Sequence, residues 1–337
     1  MDIRQLRYFL GVVEAGSFTK AAARLHVAQS ALSLHVRQLE DGFGVSLLIR
    51  DKGGIRVTEH GTKLAEHART ILRQVALAEA DLTNKTLSPA GEVTIGIPSG
   101  AARVMVSELL AAAKELIPNV SLKIVEGMTG NLEEWMRAGR FNLAVLYRSA
   151  DAIGGYDELA REEFCLVAHP NMPPFTDAIE LADLSTFPLA VPMPVNNVRR
   201  SVADAIARFG STLDIRFEVD SLSTILKMVA EGKAYSILTP AAIQNEVRSG
   251  LVKAVKVVNP VISRSVVLAT NSQDERLPSV KATRCLLIDV VRSLVQTGDW
   301  PATLPSATLA AASPETSGVS PTCEAAARRH LNANDGR

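Results

Sequence analysis

Apolar positions in the first 60 residues recur at helical spacing in three short runs and then alternate around a glycine pair. Leu6, Phe9, Leu10 and Val13 form the stripe of a first helix. Ser17 suits the N-cap of a second, whose inward positions Ala21, Ala22 and Leu25 are small enough to let another helix cross closely. After a turn at His26 and Val27, Leu32, Val36, Leu39 and Phe43 share one side of a third helix and face the core. The opposite side carries Ser30, Ser33, Leu34 and Arg37, with Gln29 at the helix start and His35 on the flank. Such a face suits the major groove, where Gln pairs with adenine, Arg with guanine and an apolar tip with a thymine methyl. The same spacing also fits an ordinary amphipathic helical hairpin.

Two apolar runs in LLIRDKGGIRVTEHG flank Lys52, Gly53 and Gly54, which predicts a β-hairpin. Arg50, Lys52 and Arg56 would make this wing positive where a phosphate backbone passes, although a basic solvated turn reads the same way. From Thr58 to about Leu87 a long helix is expected, with Leu64, Ala68, Ile71, Val75, Ala78 and Leu82 at heptad spacing. That seam is long for the small domain before it and fits a copy of itself in another subunit; a helix folded back on its own chain is the alternative. A twofold DNA reader would then meet two half-sites.

Ser88, Pro89, Ala90 and Gly91 break the pattern. Strand-like and helix-like segments then alternate: EVTIGIPSG, SELLAAAKELIPN, VSLKIVEGMTG, NLEEWMRAGR and FNLAVLY predict an α/β unit with a mostly parallel sheet. A second unit runs from EEFCLVAHP through PLAVPMP, a helix at 198–209, IRFEVDS, a helix at 222–232 and YSILTP to SRSVVLAT. Ligands of such sheets bind beyond the carboxyl ends of strands. The turns so placed hold Ser99 and Gly100, Met128 and Thr129, Tyr147 and Arg148, Asn196, Asn197 and Arg199, and Ser223. Ser99, Thr129 and Ser223 equally suit helix caps, and Arg148 and Arg199 surface ion pairs.

Composition adds few constraints. The 337 residues are 47% hydrophobic, enough for a small domain and a larger one, and formal net charge is zero. Residues 1–90 nevertheless hold 12 basic and 9 acidic side chains, a slight excess that suits DNA contact by more than one copy of the domain. Cys165, Cys285 and Cys323 are odd in number and far apart, which predicts packed or incidental thiols rather than disulfides. No signal core, membrane span, metal-ligand spacing, nucleophile elbow or Walker loop is legible, so a cytoplasmic, non-enzymatic protein without metal or cofactor is expected. From about Trp300 onward the chain is rich in Ala, Ser, Thr and Pro, and residues 301–337 read as an unpacked tail, with Arg328, Arg329 and His330 near its end.

The block RQLRYFLGVVEAGSFTKAAARLHVAQSALSLHVRQLEDGFGVSLLIRDKGGIRVTEHG resembles the LysR-type transcriptional regulators almost position by position. The resemblance extends to about residue 300, and HARTILRQ and VEGMTGNLEEWMRAGRFNLAVLY look closest to the nitrogen-assimilation-control subgroup. Ser30 stands where the family often has Pro, and Leu34 where it often has a polar or basic residue. The resemblance implies a winged helix-turn-helix domain at 1–58, a linker and dimerisation helix at 59–88, and a two-lobed effector domain, like periplasmic binding proteins, at 92–300. Lobe I would comprise 92–161 and 267–300 and lobe II 162–266, with crossing strands near 161–164 and 264–267. It further implies a sequence-specific regulator of transcription, as a dimer or a tetramer of two dimers, with double-stranded operator DNA and RNA polymerase as its macromolecular partners. A small metabolite held between the lobes, most consistently at the positions of Ser99 and Thr129, would modulate it. A regulator acting without an effector and a two-lobed solute carrier remain as alternatives.

Overall fold

The computed structural model describes residues 1–51, 54–83, 89–149, 154–193, 202–203, 206–208 and 212–305. Contacts divide the chain into two units, one formed by Met1–Leu87 with residues 137–140 and 272–277, the other by the remainder.

The first unit opens with α1 (Ile3–Ala15), whose start is tied by a capping box: Gln5 N donates to Asp2 Oδ1 at 2.7 Å and Asp2 N to Gln5 Oε1 at 3.0 Å. Leu6, Phe9 and Leu10 are buried as expected, but Val12 rather than Val13 completes the stripe. Leu25 presses on Gly11, where an added Cβ would lie 2.7 Å from its Cδ1, and this draws the neighbouring arc of α1 inward. Helix α2 (Phe18–Arg24) starts at Ser17, whose Oγ accepts from Lys20 N, and the turn passes through His26 at φ 52°. In α3 (Gln29–Phe43), Leu32, Val36 and Leu39 are at most 1% exposed. Phe43, expected beside them, is 47% exposed. Gly44 ends the helix in the left-handed region, Glu40 Oε1 accepts from Leu47 N and Leu48 N, and Leu47 fills the core instead.

Strands β1 (Leu48–Asp51) and β2 (Gly54–Val57) pair antiparallel, Leu48 opposite Val57 and Asp51 opposite Gly54, which is the expected wing. Thr58 joins it to α4 (Glu59–Thr83): its hydroxyl accepts from Gly61 N at 2.9 Å and lies 2.8 and 3.1 Å from the carbonyls of Ser46 and Leu47. Gly61 sits so close that an added Cβ would stand 2.1 Å from Leu47 O. The heptad seam divides in its use. Ala68 is fully buried, and Leu64 and Ile71 pack on the core of α1 to α3, so this half is occupied within the chain rather than free for a partner. The small domain needs a fourth wall, and α4 supplies it with Ala65, Ala68 and Leu72 as well. Further along, Ala78 is exposed and Leu82 is 86% exposed.

The second unit holds two sheets. The first has strand order β4-β3-β5-β13-β6, from β3 (Gly91–Pro98), β4 (Val120–Gly127), β5 (Leu143–Ser149), β6 (Asp157–Glu163) and β13 (Ser263–Thr270). Strands β3, β4 and β5 run parallel, whereas β13 lies antiparallel between β5 and β6. The segments expected to form a mostly parallel sheet do so as β3, β4 and β5, and the sheet as a whole is mixed because the chain leaves and re-enters this lobe on β6 and β13. Their pairing extends through Glu163 opposite Ser263, and Phe164 N donates to Ile262 O, so one crossover falls within the expected 161–164 and the other, at 262–263, just before the expected 264–267. Helices α5 (Ser99–Leu116), α6 (Thr129–Arg137) and α9 (Pro278–Thr297) complete this lobe.

The second sheet has order β11-β7-β12-β8, from β7 (Cys165–Ala168), β8 (Ala178–Glu180), β11 (Ser236–Leu238) and β12 (Lys253–Val258). Here β7 pairs antiparallel with β11 and β12, and β8 parallel with β12. A separate parallel pair joins β9 (Leu189–Val191) to β10 (Ile215–Glu218). Helices α7 (Leu222–Ala230) and α8 (Pro240–Arg248) follow β10 and β11. Phe164, Leu166, Leu189, Ile237 and Val255 form the centre of this lobe. Of the helix expected at 198–209, residues 202–203 and 206–207 are helical, with Val202 and Ile206 buried.

The first residues of the expected tail are packed. Trp300 is fully buried, and Thr303 exchanges backbone hydrogen bonds with Arg161 on β6. A tryptophan able to bury its ring and satisfy its N–H outweighs the polar composition around it. Residues 306–337, including Cys323 and Arg328 to His330, lie outside the described residues. No helix among the described residues is long and apolar enough to cross a membrane.

Candidate functional site

Two surfaces carry the candidate residues. On the first unit, the buried row Leu32, Val36 and Leu39 fixes the rotation of α3, so Gln29, Ser30, Leu34 and Arg37 are all exposed. Leu34 is 54% exposed, an apolar side chain left in water on a helix with a well-filled core beneath it. Ser33 is half-buried and engaged in an interaction of its own, and so stands slightly inside the outward face. His35 packs edge-on against Tyr8 with ring centroids 5.2 Å apart, which locks the flank of α3 to α1. Arg56 is exposed on β2. The Arg50 side chain and all of Lys52 lie outside the described residues.

On the second unit, a cleft of about 430 Å³ opens between the two lobes. Helices α5 and α6 of lobe I and α7 and α8 of lobe II all begin on it, through Ser99, Thr129, Ser221 and Thr239. The first amides of a helix have no intrahelical acceptor and carry partial positive charge, so these four ends bias the cleft towards anionic groups. Neither the α5 nor the α8 N-terminus is capped by a side chain. Ser221 caps α7 by accepting from Thr224 N. Thr129 is 5% exposed.

The cleft floor is a buried polar network. Arg264 on β13 is 4% exposed and pairs through Nη2 and Nε with Glu162 Oε2 at 2.7 and 2.8 Å; Glu162 itself is completely buried. Trp300 Nε1 donates to the other carboxylate oxygen at 2.8 Å, and Arg264 Nη2 donates to Thr239 Oγ1 at 3.1 Å. The guanidinium also stacks 3.3 Å from the Tyr147 ring centroid. Arg264 thus reaches α8 of lobe II while its backbone lies in the lobe I sheet. Burial pushes the Tyr147 hydroxyl well above the ordinary phenol range, with Glu162 adding to the rise and Arg264 opposing it. Burial, assisted by Glu162, pushes the Cys165 thiol up to about 12. Cys165 is a packed thiol that donates to Leu238 O. Across the cleft entrance, Arg103 on α5 holds both oxygens of Glu246 on α8 at 2.6 and 2.8 Å.

Ser99, Gly100, Met128, Thr129, Tyr147 and Ser223 therefore meet around one cavity. Arg148 does not. As the next residue on β5 it points to the opposite side of the sheet, where Glu133 at 2.6 Å and the hydroxyl of Tyr156 occupy it. Asn196, Asn197 and Arg199 lie outside the described residues. Sequence reasoning missed Arg103, Glu126, Asp220, Thr239 and Arg264, all of which line the cleft. Glu126, Asp220 and Thr239 sit at strand ends and were within reach of the rule that located Ser99. Arg264, inside an apolar strand, carried a different signal: a charge in a run that otherwise reads as buried. Among the described residues no group of three or more His, Cys, Asp or Glu side chains is arranged to hold a metal.

Residues 3–62 match the family model for bacterial regulatory helix-turn-helix proteins of the lysR family, and residues 87–292 match that for the LysR substrate binding domain. The nitrogen assimilation regulatory protein nac of Klebsiella aerogenes is 30% identical over 86% of this chain and 95% of its own length. The HTH-type transcriptional regulator CfxR of Cupriavidus necator is 31% identical over 86% of this chain and 92% of its own. Among solved structures, a full-length OxyR from Pseudomonas aeruginosa is 25% identical and superposes with a TM-score of 0.70, covering 87% of this chain and 95% of that one. A wing, an outward polar helix face and a two-lobed cleft thus occur together on a chain whose two parts match two models of one family, and the protein belongs to the LysR family of bacterial helix-turn-helix regulators.

Proposed function

We propose that this protein is a cytoplasmic, non-enzymatic regulator that reads operator DNA with α3 and adjusts transcription in response to a small molecule held in the interlobe cleft. The observation that carries the DNA reading is the exposed face of Gln29, Ser30, Leu34 and Arg37 directly above the buried row Leu32, Val36 and Leu39. Arg37 is assigned to a base edge, with Ser33 beside it, and the wing, with Arg50, Lys52 and Arg56, to phosphates. The outer part of α4, through Val75, Ala78 and Leu82, is assigned to pairing with a second copy, giving a dimer or a tetramer of dimers. Ser99, Gly100, Met128, Thr129, Tyr147 and Ser223 are assigned to the effector, and polymerase contact to the DNA-bound assembly.

Coupling requires that the effector bind the two arrangements of the lobes with different affinity. Arg37→Ala tests the DNA assignment in gel-shift and footprinting experiments on the intergenic DNA beside the protein's own coding region. Loss of one bidentate base contact should cost about 1–3 kcal/mol and relax preference at one position in each half-site. An unchanged footprint removes Arg37 from the base-reading set. The ion pair from Arg103 to Glu246, which ties α5 to α8 across the cleft without any ligand, favours a second reading in which the lobes stay closed and no effector is used. Full response to inducing conditions by Ser99→Ala would support that second reading.

A further inference from the structure

Arg73 on α4 is held by the far ends of two elements that begin on the interlobe cleft. Its side chain is 12% exposed and is gripped at all three nitrogens, inside the first unit: Nε pairs with Asp274 Oδ1 at 2.9 Å, Nη1 donates to Gln273 Oε1 at 2.9 Å, and Nη2 donates to Gly139 O. The Asp274 side chain is completely buried. Gly139 sits at φ 66°, and a Cβ there would stand 2.7 Å from Arg73 Nη2, so this socket requires a glycine for its backbone and for its space. Gly139 follows α6, which starts on the cleft at Thr129, whereas Gln273 and Asp274 follow β13, whose Arg264 lies in the cleft floor. On the other side, Ile71 and Leu72, the residues before Arg73, pack on the core of α1 to α3.

β13 pairs with β5 at seven consecutive positions, from Arg264 opposite Ser149 to Thr270 opposite Leu143, about 20 Å at a rise of about 3.4 Å per residue, and Asn271 N continues the pairing by donating to Asn142 O. Such a strand moves as a rod. Arg264 at its cleft end is bonded to Thr239 of lobe II, whereas α6 belongs to lobe I alone, so a change in lobe closure displaces the two elements unequally and the difference appears where Arg73 joins them. A guanidinium is a rigid fork, and a shift of about 1 Å between Gly139 and Asp274 takes one of its bonds out of range. A buried carboxylate is stable beside its cation or in water and costly in between, which gives the socket two states rather than a continuum. We propose that the Arg73 socket is the latch through which the state of the cleft reaches α4 and the DNA-reading helices packed on it. This rests on the effector reading above and names the residues that transmit it.

Linkage is reciprocal, so DNA itself serves as the probe and the effector need not be known. Hydrogen exchange of the full chain is followed by mass spectrometry with and without the duplex that the parent protein selects from a random pool. In the parent, DNA should change exchange by about fivefold or more at the cleft turns 98–101, 127–130 and 238–241. The double variant Arg73→Gln with Asp274→Asn removes both charges together, leaving neither buried alone, and should bind the same duplex while the change at the cleft is lost. Gly139→Ala, which keeps both charges and presses a methyl on the guanidinium, should lose it as well and decides the matter if the double variant does not fold. A socket that only braces the fold would lower the melting temperature of these variants and leave the DNA-induced change intact; that result overturns the latch while coupling between cleft and DNA stands. If DNA changes nothing at the cleft of the parent, that coupling fails and the latch fails with it.

Discussion

Replacing Glu162 by Gln removes one negative charge and almost no volume, which isolates the electrostatic role of the cleft floor. The remaining neighbours of Arg264 are the Thr239 hydroxyl and the faces of Tyr147 and Phe164, none of them anionic. A guanidinium that is 4% exposed would then be left without a counter-charge. Two unit charges 4 Å apart attract by about 4 kcal/mol at an effective dielectric constant near 20, and breaking one partner of a buried pair typically costs about 3–5 kcal/mol. For a folding unit of this size that lowers the melting temperature by on the order of 10 °C. Scanning calorimetry of Glu162→Gln, Arg264→Met and the double variant measures it. The double variant should melt well above the sum of the two single losses, because removing both charges also removes the unpaired one. A Glu162→Gln melting temperature within about 2 °C of the parent, or strict additivity, would refute the idea that this pair holds the floor together.

Three other outcomes are expected. The thiol of Cys165 releases its proton near 9.0 when unfolded but is pushed up to about 12 in the fold, so the unfolded chain binds fewer protons above pH 9. Stability should accordingly be insensitive to this group below about pH 9 and fall as pH rises from there towards 12; Cys165→Ala should flatten that alkaline loss in melting curves taken from pH 7 to 11. Gly61→Ala forces a methyl against the backbone oxygen of Leu47, which cannot rotate away, and should cost about 1–3 kcal/mol or more in denaturant titrations of the first unit; a midpoint unchanged from the parent counts against the tight junction. Leu32→Ala empties a completely buried site under the outward face of α3 and should cost about 2–5 kcal/mol, with gel-shift affinity falling in parallel and far-ultraviolet circular dichroism reporting the loss of helix on warming.

Much of this architecture was legible because single-face periodicity is a local property. Leu32, Val36 and Leu39 specify the orientation of α3, and the opposite exposure of Leu34 and Arg37 follows from geometry alone. Phe43 departed because helix termination depends on what the next segment does, here Leu47 held by Glu40. Ala68 departed for a related reason: a heptad seam shows that one side of a helix is covered, not by what. Strand direction was least legible, since β13 returns antiparallel from another lobe and a sequence window contains nothing of that partner. In the cleft, Ser99, Thr129 and Tyr147 were found by the strand-end rule and Glu126, Asp220 and Thr239 at other strand ends were not, whereas Arg264, which joins the floor to α8, lay within a strand and escaped it.

Trp300 also sets a practical boundary for protein engineering. A reporter fused, or a stop codon placed, immediately after α9 would delete the indole that saturates the Glu162 carboxylate and the short segment that extends the sheet edge at Arg161. Expression of the isolated ligand-binding half should run through Pro305, and shorter versions should be compared for solubility before any loss of response is blamed on the missing DNA reader.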